Sequence, residues 1–133
     1  MLTFLAQVYD FSIPVLFSGG VIDFKTAQFV YEQTGVDGFL IGRGLWAKPW
    51  KLKELHEHSL GNQFAVDKKT ILHCALQQLD FMLAYYGAQG LHCFKKHLSF
   101  YVKDVHSASE IRKRLIVCDS VQEIKQGLTN CLR

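Results

Sequence analysis

The sequence predicts an α/β segment followed by an all-α segment. Two short β-like runs end in glycine turns and flank one helical segment, and the second half of the chain contains only amphipathic helical patterns. The 133 residues, 49% of them hydrophobic, are enough for a real core. Two strands are nevertheless too few to close a barrel or to form a stable open sheet. We therefore interpret the α/β segment as the end of a larger domain.

The α/β segment has the pattern of a parallel βαβ unit. Residues 13–17 form a continuous apolar run with Pro14 near its start, where a missing amide is tolerated. Asp23 is a good N-cap for a helix that ends at Gly35. Residues 36–41 have the pattern of a second strand. Strand, helix and strand within about 30 residues predict a parallel pair with a right-handed crossover.

A domain boundary is expected after one further helix. Pro49 suits the first turn of a helix that runs to about residue 58. Residues 59–66 have no clear period and include Gly61. We therefore predict one domain over residues 1–61 and a second over residues 62–133.

Two long amphipathic patterns open the second domain. Asp67 can cap the first, whose apolar residues follow steps of three and four as far as Tyr86. Gly87 and Gly90 bracket a short break. The apolar side of the next pattern consists of Leu91, Phe94, Leu98 and Tyr101.

Two further helices are predicted from their first residues. Ser107-Ala108-Ser109-Glu110 and Ser120-Val121-Gln122-Glu123 both have the sequence of a capping box, in which the serine and the glutamate each bind a backbone amide. They predict helices over residues 108–117 and 121–131. Four amphipathic helices joined by short loops predict an antiparallel helical bundle.

Charge and cysteine spacing limit the possible classes of protein. Residues 1–61 contain five basic and six acidic residues, and residues 62–133 contain ten and six, so the basic excess lies in the helical half. This excess permits an anionic partner but does not establish one. The four cysteines are widely spaced, without a Cys-x-x-Cys pair or a secretory leader, which favours reduced thiols in a cytoplasmic protein. The apolar stretch near the N-terminus is interrupted at Asp10 and Pro14, so no membrane span is expected.

A metal site is not expected. His73-Cys74 and His92-Cys93 are adjacent pairs, and neighbouring residues on a helix point in different directions. Neither pair has a partner at the usual ligand spacing. Buried thiols and surface histidines are the better interpretation.

The two glycine turns, Ser18-Gly19-Gly20 and Gly42-Arg43-Gly44, predict a phosphate site. Amides at the carboxyl ends of neighbouring parallel strands can bind one phosphate together, and glycine permits the close approach. In eight-stranded βα barrels the phosphate site often follows the last two strands. Arg43 could add a charge-assisted hydrogen bond. These turns do not distinguish flavin mononucleotide (FMN) from a sugar phosphate.

Several motifs together resemble a known family. They are Ile13-Pro14-Val15, Ser18-Gly19-Gly20-Val21, Thr34-Gly35-Val36-Asp37-Gly38, Ile41-Gly42-Arg43-Gly44, Pro49-Trp50 and Lys95-Lys96-His97-Leu98-Ser99-Phe100-Tyr101 with Arg112. In this order they resemble the end of the barrel and the start of the C-terminal helical domain of the tRNA-dihydrouridine synthases. The resemblance covers almost the whole chain from Ile13 onward. It implies that the α/β segment is the terminal βαβ portion of a TIM barrel.

The resemblance implies a flavoprotein in which NADPH reduces FMN and the flavin reduces a uridine of tRNA. The flavin phosphate would contact Ser18, Gly19, Gly20, Gly42 and Arg43. The usual turn of the family is Asn-Gly-Asp or Asn-Gly-Asn, so Ser18 and Gly20 depart from it. The family's catalytic cysteine lies in earlier barrel loops, and none of the four cysteines here has a matching motif. We therefore assign no catalytic residue and expect this chain alone to be inactive.

The resemblance also implies a tRNA-binding surface on the helical domain. Its candidate phosphate contacts are Lys95, Lys96, His97, Lys103, Arg112, Lys113 and Arg114. A solvated basic face is the alternative for these residues, and His97 has an equally plausible structural role. Trp46 and Trp50 could line a nucleotide pocket, but large aromatic residues after a barrel strand more often pack.

Two other functions remain open on the residues alone. One is a phosphate-binding part of another TIM barrel, such as the sugar-phosphate barrels of histidine synthesis, although the basic helical tail disfavours it. The other is a non-catalytic RNA-binding module, for which the helical domain would suffice. The oligomeric state is not predicted.

Overall fold

A computed structural model describes residues 12–133 of the chain. The residues before Ser12, with Asp10 and most of the apolar stretch near the N-terminus, lie outside this range. The described residues form two compact units. The first contains residues 12–45 and 50–64, and the second contains residues 46–49 and 65–133.

The first unit contains the expected βαβ arrangement. Strands β1 (Leu16–Ser18) and β2 (Gly38–Leu40) pair in parallel, and helix α1 (Phe24–Thr34) connects them. Both strands begin later than their apolar runs. Just before the strands, the Val15 carbonyl accepts from the Asp37 N–H at 2.9 Å, while the Val15 N–H donates to Asp37 Oδ2 at 2.7 Å, so a side chain replaces one backbone acceptor there.

Helix α1 is bounded by the residues that the sequence indicates. The Asp23 side chain accepts a hydrogen bond from the Thr26 amide at 2.8 Å, and Thr26 Oγ1 accepts one from the Asp23 amide at 3.1 Å. This reciprocal capping box holds the start of the helix. The bond from the Thr26 amide, with a second from the Thr26 hydroxyl to Asp23 Oδ1 at 2.7 Å, lowers the pKa of Asp23. At the other end Gly35 has a φ of 64°, a left-handed conformation that is typical of a helix C-terminus.

Two short elements complete the first unit. A single 3₁₀ turn covers Arg43–Leu45, and helix α2 covers Lys51–Ser59. Lys51 is buried and forms an ion pair with Glu54 at 2.5 Å.

The second unit contains four helices, as predicted. They are α3 (Lys68–Tyr86), α4 (Gln89–Tyr101), α5 (Ala108–Val117) and α6 (Val121–Cys131). Each packs against the next, and α6 also packs against α3. The core is made of side chains from all four helices, among which Leu79, Phe94, Leu98, Leu115, Ile124 and Leu128 are almost completely buried. The predicted apolar side of α4 is confirmed, because Leu91, Phe94, Leu98 and Tyr101 are all buried.

The capping box predicted at Ser107 is wrong. Ser107 has a φ of 54°, and its side chain makes no capping hydrogen bond. Its carbonyl accepts instead from the amides of Glu110 and Ile111 at 3.0 and 3.1 Å, so the backbone alone starts α5. The predicted start of the helix is nevertheless correct.

At Ser120 only half of the capping box forms. Ser120 Oγ accepts from the Glu123 amide at 3.3 Å. The Glu123 carboxylate accepts from Cys118 Sγ at 3.1 Å instead of the Ser120 amide. This hydrogen bond raises the pKa of the Cys118 thiol.

Within residues 12–133, no helix is both long and apolar enough to cross a lipid bilayer.

Candidate functional site

The two glycine turns of the first unit line one cavity. Its volume is about 550 Å³. The lining residues are Ser18, Gly19, Gly20, Val21, Ile22, Leu40, Ile41, Gly42, Arg43 and Gly44. All five residues predicted to hold a phosphate therefore border the same space. Parallel pairing of β1 and β2 explains this, because it places both turns at the carboxyl edge of the sheet.

The backbone of both turns depends on glycine. Gly19 and Gly20 have φ angles of 112° and 69°, which disfavour any residue with a Cβ atom. At Gly44 a Cβ atom would lie 3.1 Å from the Val21 carbonyl oxygen, so the second turn passes close to the first. Gly42 differs from Gly44, because no atom lies within 4 Å of the position that an added Cβ atom would occupy. Its backbone therefore has open space beside it, where a ligand can approach.

Three backbone donors of these turns have no partner among residues 12–133. In the described part of the chain, the amides of Gly19, Gly20 and Gly42 donate no hydrogen bond to another residue. Arg43 is exposed and, among the residues that the structure describes, is the single charged one that lines the cavity. The Asp23 carboxylate is bound by Thr26 and does not line the cavity. Amide donors and one cation, with no carboxylate among the described lining residues, together fit a phosphate group.

The predicted RNA contacts lie in the second unit, and two of them are already engaged. Lys95 Nζ lies 2.8 Å from Asp119 Oδ1, and the Lys95 side chain is only 15% exposed. This ion pair connects α4 to the residues just before α6 and lowers the pKa of Asp119. Arg112 Nε donates to the Ala108 carbonyl oxygen within α5 at 3.1 Å.

His97 is partly enclosed. Its ring lies 6.1 Å from the Trp46 ring, in an edge-to-face arrangement. Its Nδ1 atom is buried, and no described residue forms a hydrogen bond with it. Burial, with a smaller effect of Lys96, lowers the pKa of His97. The imidazole is therefore neutral at pH 7 and supplies no cation to a phosphate.

The other predicted contacts are exposed. Lys96, Lys103, Lys113 and Arg114 all face solvent. None of them forms an ion pair with another residue of the described range. They are carried by α4, α5 and the connection between them, and these two helices pack against each other. Of the seven predicted contacts, these four side chains are the exposed cations that can bind an external anion.

Trp46 is the main residue whose place the sequence did not reveal. It belongs to the second unit and contacts two residues of α4, His97 and Phe100. A sequence separation of more than fifty residues leaves no periodic signal for such a contact. Its neighbour Ala47 has a φ of 51°, and this unusual value is not visible in the sequence either.

The cysteines and histidines of the described residues do not form a metal-binding cluster. No group of three or more His, Cys, Asp or Glu side chains comes together between residues 12 and 133. The four cysteines are free thiols and partly buried.

The described chain thus combines an α/β unit, in which two glycine turns border one cavity, with a four-helix unit that carries exposed cations. The family model described as dihydrouridine synthase (Dus) matches residues 6–133. The chain therefore belongs to the dihydrouridine synthase family.

Curated relatives agree with this family. A probable tRNA-dihydrouridine synthase 1 of Synechocystis is 32% identical over 91% of this chain and 35% of its own length. The tRNA-dihydrouridine synthase B of Vibrio parahaemolyticus is 32% identical over 82% of this chain and 35% of its own length. That of Pseudomonas putida is 33% identical over 84% and 34%. The chain thus spans about a third of the length of these relatives.

Proposed function

We propose that this chain is the C-terminal portion of a flavin-dependent tRNA-dihydrouridine synthase, which reduces uridine to dihydrouridine in tRNA with NADPH as reductant. The domain predicted over residues 1–61 would be the terminal βαβ portion of a TIM barrel. The domain predicted over residues 62–133 would be the tRNA-binding bundle. The names of the relatives and the matched family support the activity of the parent protein.

One observation carries the cofactor assignment. The two glycine turns border one cavity, and the amides of Gly19, Gly20 and Gly42 have no partner in the described chain. These amides, with Ser18 and the Arg43 guanidinium, would hold the phosphate of FMN. The flavin would supply hydride transfer when bound. The residues of this chain would bind and orient it by its phosphate end.

Exposed apolar side chains support a larger parent domain. In the first unit, Leu16 and Leu40 of the two strands are each 57% exposed, and Phe29 of α1 is 63% exposed. A two-stranded sheet is marginal in water because it cannot cover such side chains. Further barrel strands and helices would cover them.

We propose no catalytic residue on this chain. The cysteine that would protonate the uracil ring lies in earlier barrel loops of the family, and no cysteine here has the matching motif. The 133 residues alone would therefore lack reductase activity while retaining parts of both binding surfaces.

The cofactor proposal is tested by comparing FMN with riboflavin, which lacks the phosphate. Each ligand is titrated into the ¹⁵N-labelled chain, and the amide signals are followed by NMR. We expect FMN to shift the signals of Gly19, Gly20 and Gly42 and riboflavin to leave them unchanged. Equal shifts with both ligands, or none with millimolar FMN, would contradict the proposal.

A matched pair of variants sharpens this test. Gly42→Asp adds a negative charge where the cavity has open space, whereas Gly42→Asn adds a neutral side chain of the same shape. We expect Gly42→Asp to weaken FMN binding about tenfold more than Gly42→Asn, because charge-assisted contacts are worth about 1.5–3 kcal/mol. Equal affinity of the two variants would show that no phosphate binds here.

A further inference from the structure

An exposed aromatic pair lies on the outer side of α4. The rings of Trp46 and Phe100 are 5.7 Å apart and nearly perpendicular, at 85°. Trp46 is 48% exposed and Phe100 is 37% exposed. An edge-to-face pair covers only one ring face, so aromatic surface remains open to solvent. We call these two residues the aromatic platform.

The core does not require the aromatic platform. Helix α4 contributes Phe94, Leu98 and Tyr101 to the buried interior, and Phe100 lies outside that row. Tyr101 also donates its hydroxyl to Gln78 Oε1 at 2.7 Å, which fixes the orientation of α4 against α3. Phe100 is therefore held on the surface by a helix whose rotation is already determined.

The backbone beside Trp46 is strained. Ala47 has a φ of 51°, a left-handed value that is uncommon for a residue with a Cβ atom, and its side chain is buried. Such conformations persist where the surrounding structure enforces them, and they cluster at binding sites. Here the conformation fixes the loop that places the Trp46 ring against α4.

Two lysines lie close to Phe100 in the sequence. Lys96 lies one helical turn before Phe100, and Lys103 follows it by three residues. Both lysines are exposed, and neither forms an ion pair with a described residue. No acidic residue occurs between Asp80 and Asp104. The neutral His97 ring adds an apolar wall beside Trp46.

Exposed aromatic rings together with lysines that form no ion pair among the described residues are suited to binding a single-stranded nucleotide. Every base has a flat face that stacks on an aromatic ring, and its phosphates bind nearby cations. We propose that Trp46 and Phe100 stack one unpaired base of the RNA substrate, and that Lys96 and Lys103 bind the adjacent phosphates. This inference rests on the proposed function, because it assumes that the helical unit binds RNA.

The test uses the 133-residue chain and two probes of equal charge, a short unstructured RNA and the same strand without bases. We expect the RNA to bind more tightly than the abasic strand. Trp46→Leu and Phe100→Leu each remove a ring and retain apolar bulk, and each should weaken RNA binding about tenfold. Neither should change the affinity for the abasic strand or the dependence of RNA affinity on salt.

Controls separate stacking from folding and from charge. Phe81→Leu removes an exposed ring from α3, which lines a groove with Tyr85 and Tyr86 that neither lysine borders, and should leave RNA binding unchanged. Lys96→Ala should reduce the slope of log Kd against log salt by about 1 for both probes. Circular dichroism identifies any variant that fails to fold. If one of the two ring variants does not fold, the RNA affinity of the other tests the stacking proposal.

Each remaining outcome is decisive. Equal affinity for the two probes, with salt-dependent tRNA binding intact, would overturn the stacking platform and leave the proposed function standing. No binding of tRNA would contradict the proposed function itself. Self-association that both ring variants abolish, with RNA affinity unchanged, would assign the platform to a second copy of the chain and overturn the inference.

Discussion

His97 carries a buried Nδ1 atom for which no described residue provides a hydrogen bond. Removing an imidazole from water disfavours its charged form, and Lys96 adds a smaller repulsion. The folded protein therefore holds His97 neutral at a pH where an unfolded chain already binds the proton. At the residue scale, the same burial that keeps His97 uncharged creates a pH dependence.

We expect the stability of the chain to fall as the pH is lowered from 7.5 to 5.5. Because the pKa of His97 is lower in the folded state than its usual 6.5, the unfolded chain binds more protons in this window. His97→Leu should flatten this part of the profile, as measured by thermal unfolding at several pH values. Asp23, Asp67 and Asp119 have pKa values below 3.8 and do not titrate here.

His92 provides the control, since it is exposed on the same helix. His92→Gln should preserve the pH dependence of the parent chain. If His97→Leu kept the full slope, the buried imidazole would not be its source.

At the scale of elements, the α3–α4 connection depends on close contact between backbones. A Cβ atom at Gly90 would overlap the Met82 carbonyl group and would lie 2.7 Å from the Leu83 nitrogen. The first turn of α4 therefore packs directly on the backbone of the last turns of α3. This contact brings α4 close enough for Tyr101 to reach Gln78.

Gly90→Ala should destabilise the second unit by about 1–3 kcal/mol, because the helices must separate to admit the methyl group. Thermal unfolding followed by circular dichroism measures this as a lower midpoint. Gly42→Ala is the matched control, since its Cβ atom meets nothing within 4 Å. Equal midpoints for the two variants would show that the α3–α4 contact is looser than described.

At the scale of the whole molecule, the basic excess of residues 62–133 favours binding of a polyanion. Four of the predicted cations are exposed and unpaired among the described residues, whereas Lys95 is neutralised by Asp119. Such cations bind a nucleic acid largely because they release the counterions condensed on it. This release is less favourable at high salt, so the affinity falls as the salt concentration rises.

We expect the 133-residue chain to bind tRNA with an affinity that falls steeply with salt, and to form no dihydrouridine with added FMN and NADPH. Lys113→Ala and Arg114→Ala should each reduce the salt slope by about 1, whereas Lys69→Ala on α3 should not. Filter binding and mass spectrometry of the tRNA provide the two measurements. Dihydrouridine in the product would contradict the proposed absence of a catalytic residue.

Local features of the chain were predictable because their causes are local. The Asp23 cap, the Gly35 stop and the helical periods depend on residues within one or two turns of each other. The same locality explains the error at Ser107, whose left-handed backbone is set by its surroundings and prevents the expected side-chain hydrogen bond.

The residue pattern alone was sufficient to predict the order of strands and helices, the glycine turns and the family. Which donors and cations remain available depends on long-range packing. It placed the two turns on one cavity, paired Lys95 with Asp119 and brought Trp46 to α4. The physical reason is that these contacts join residues more than twenty positions apart, and such contacts arise from packing rather than from local preference.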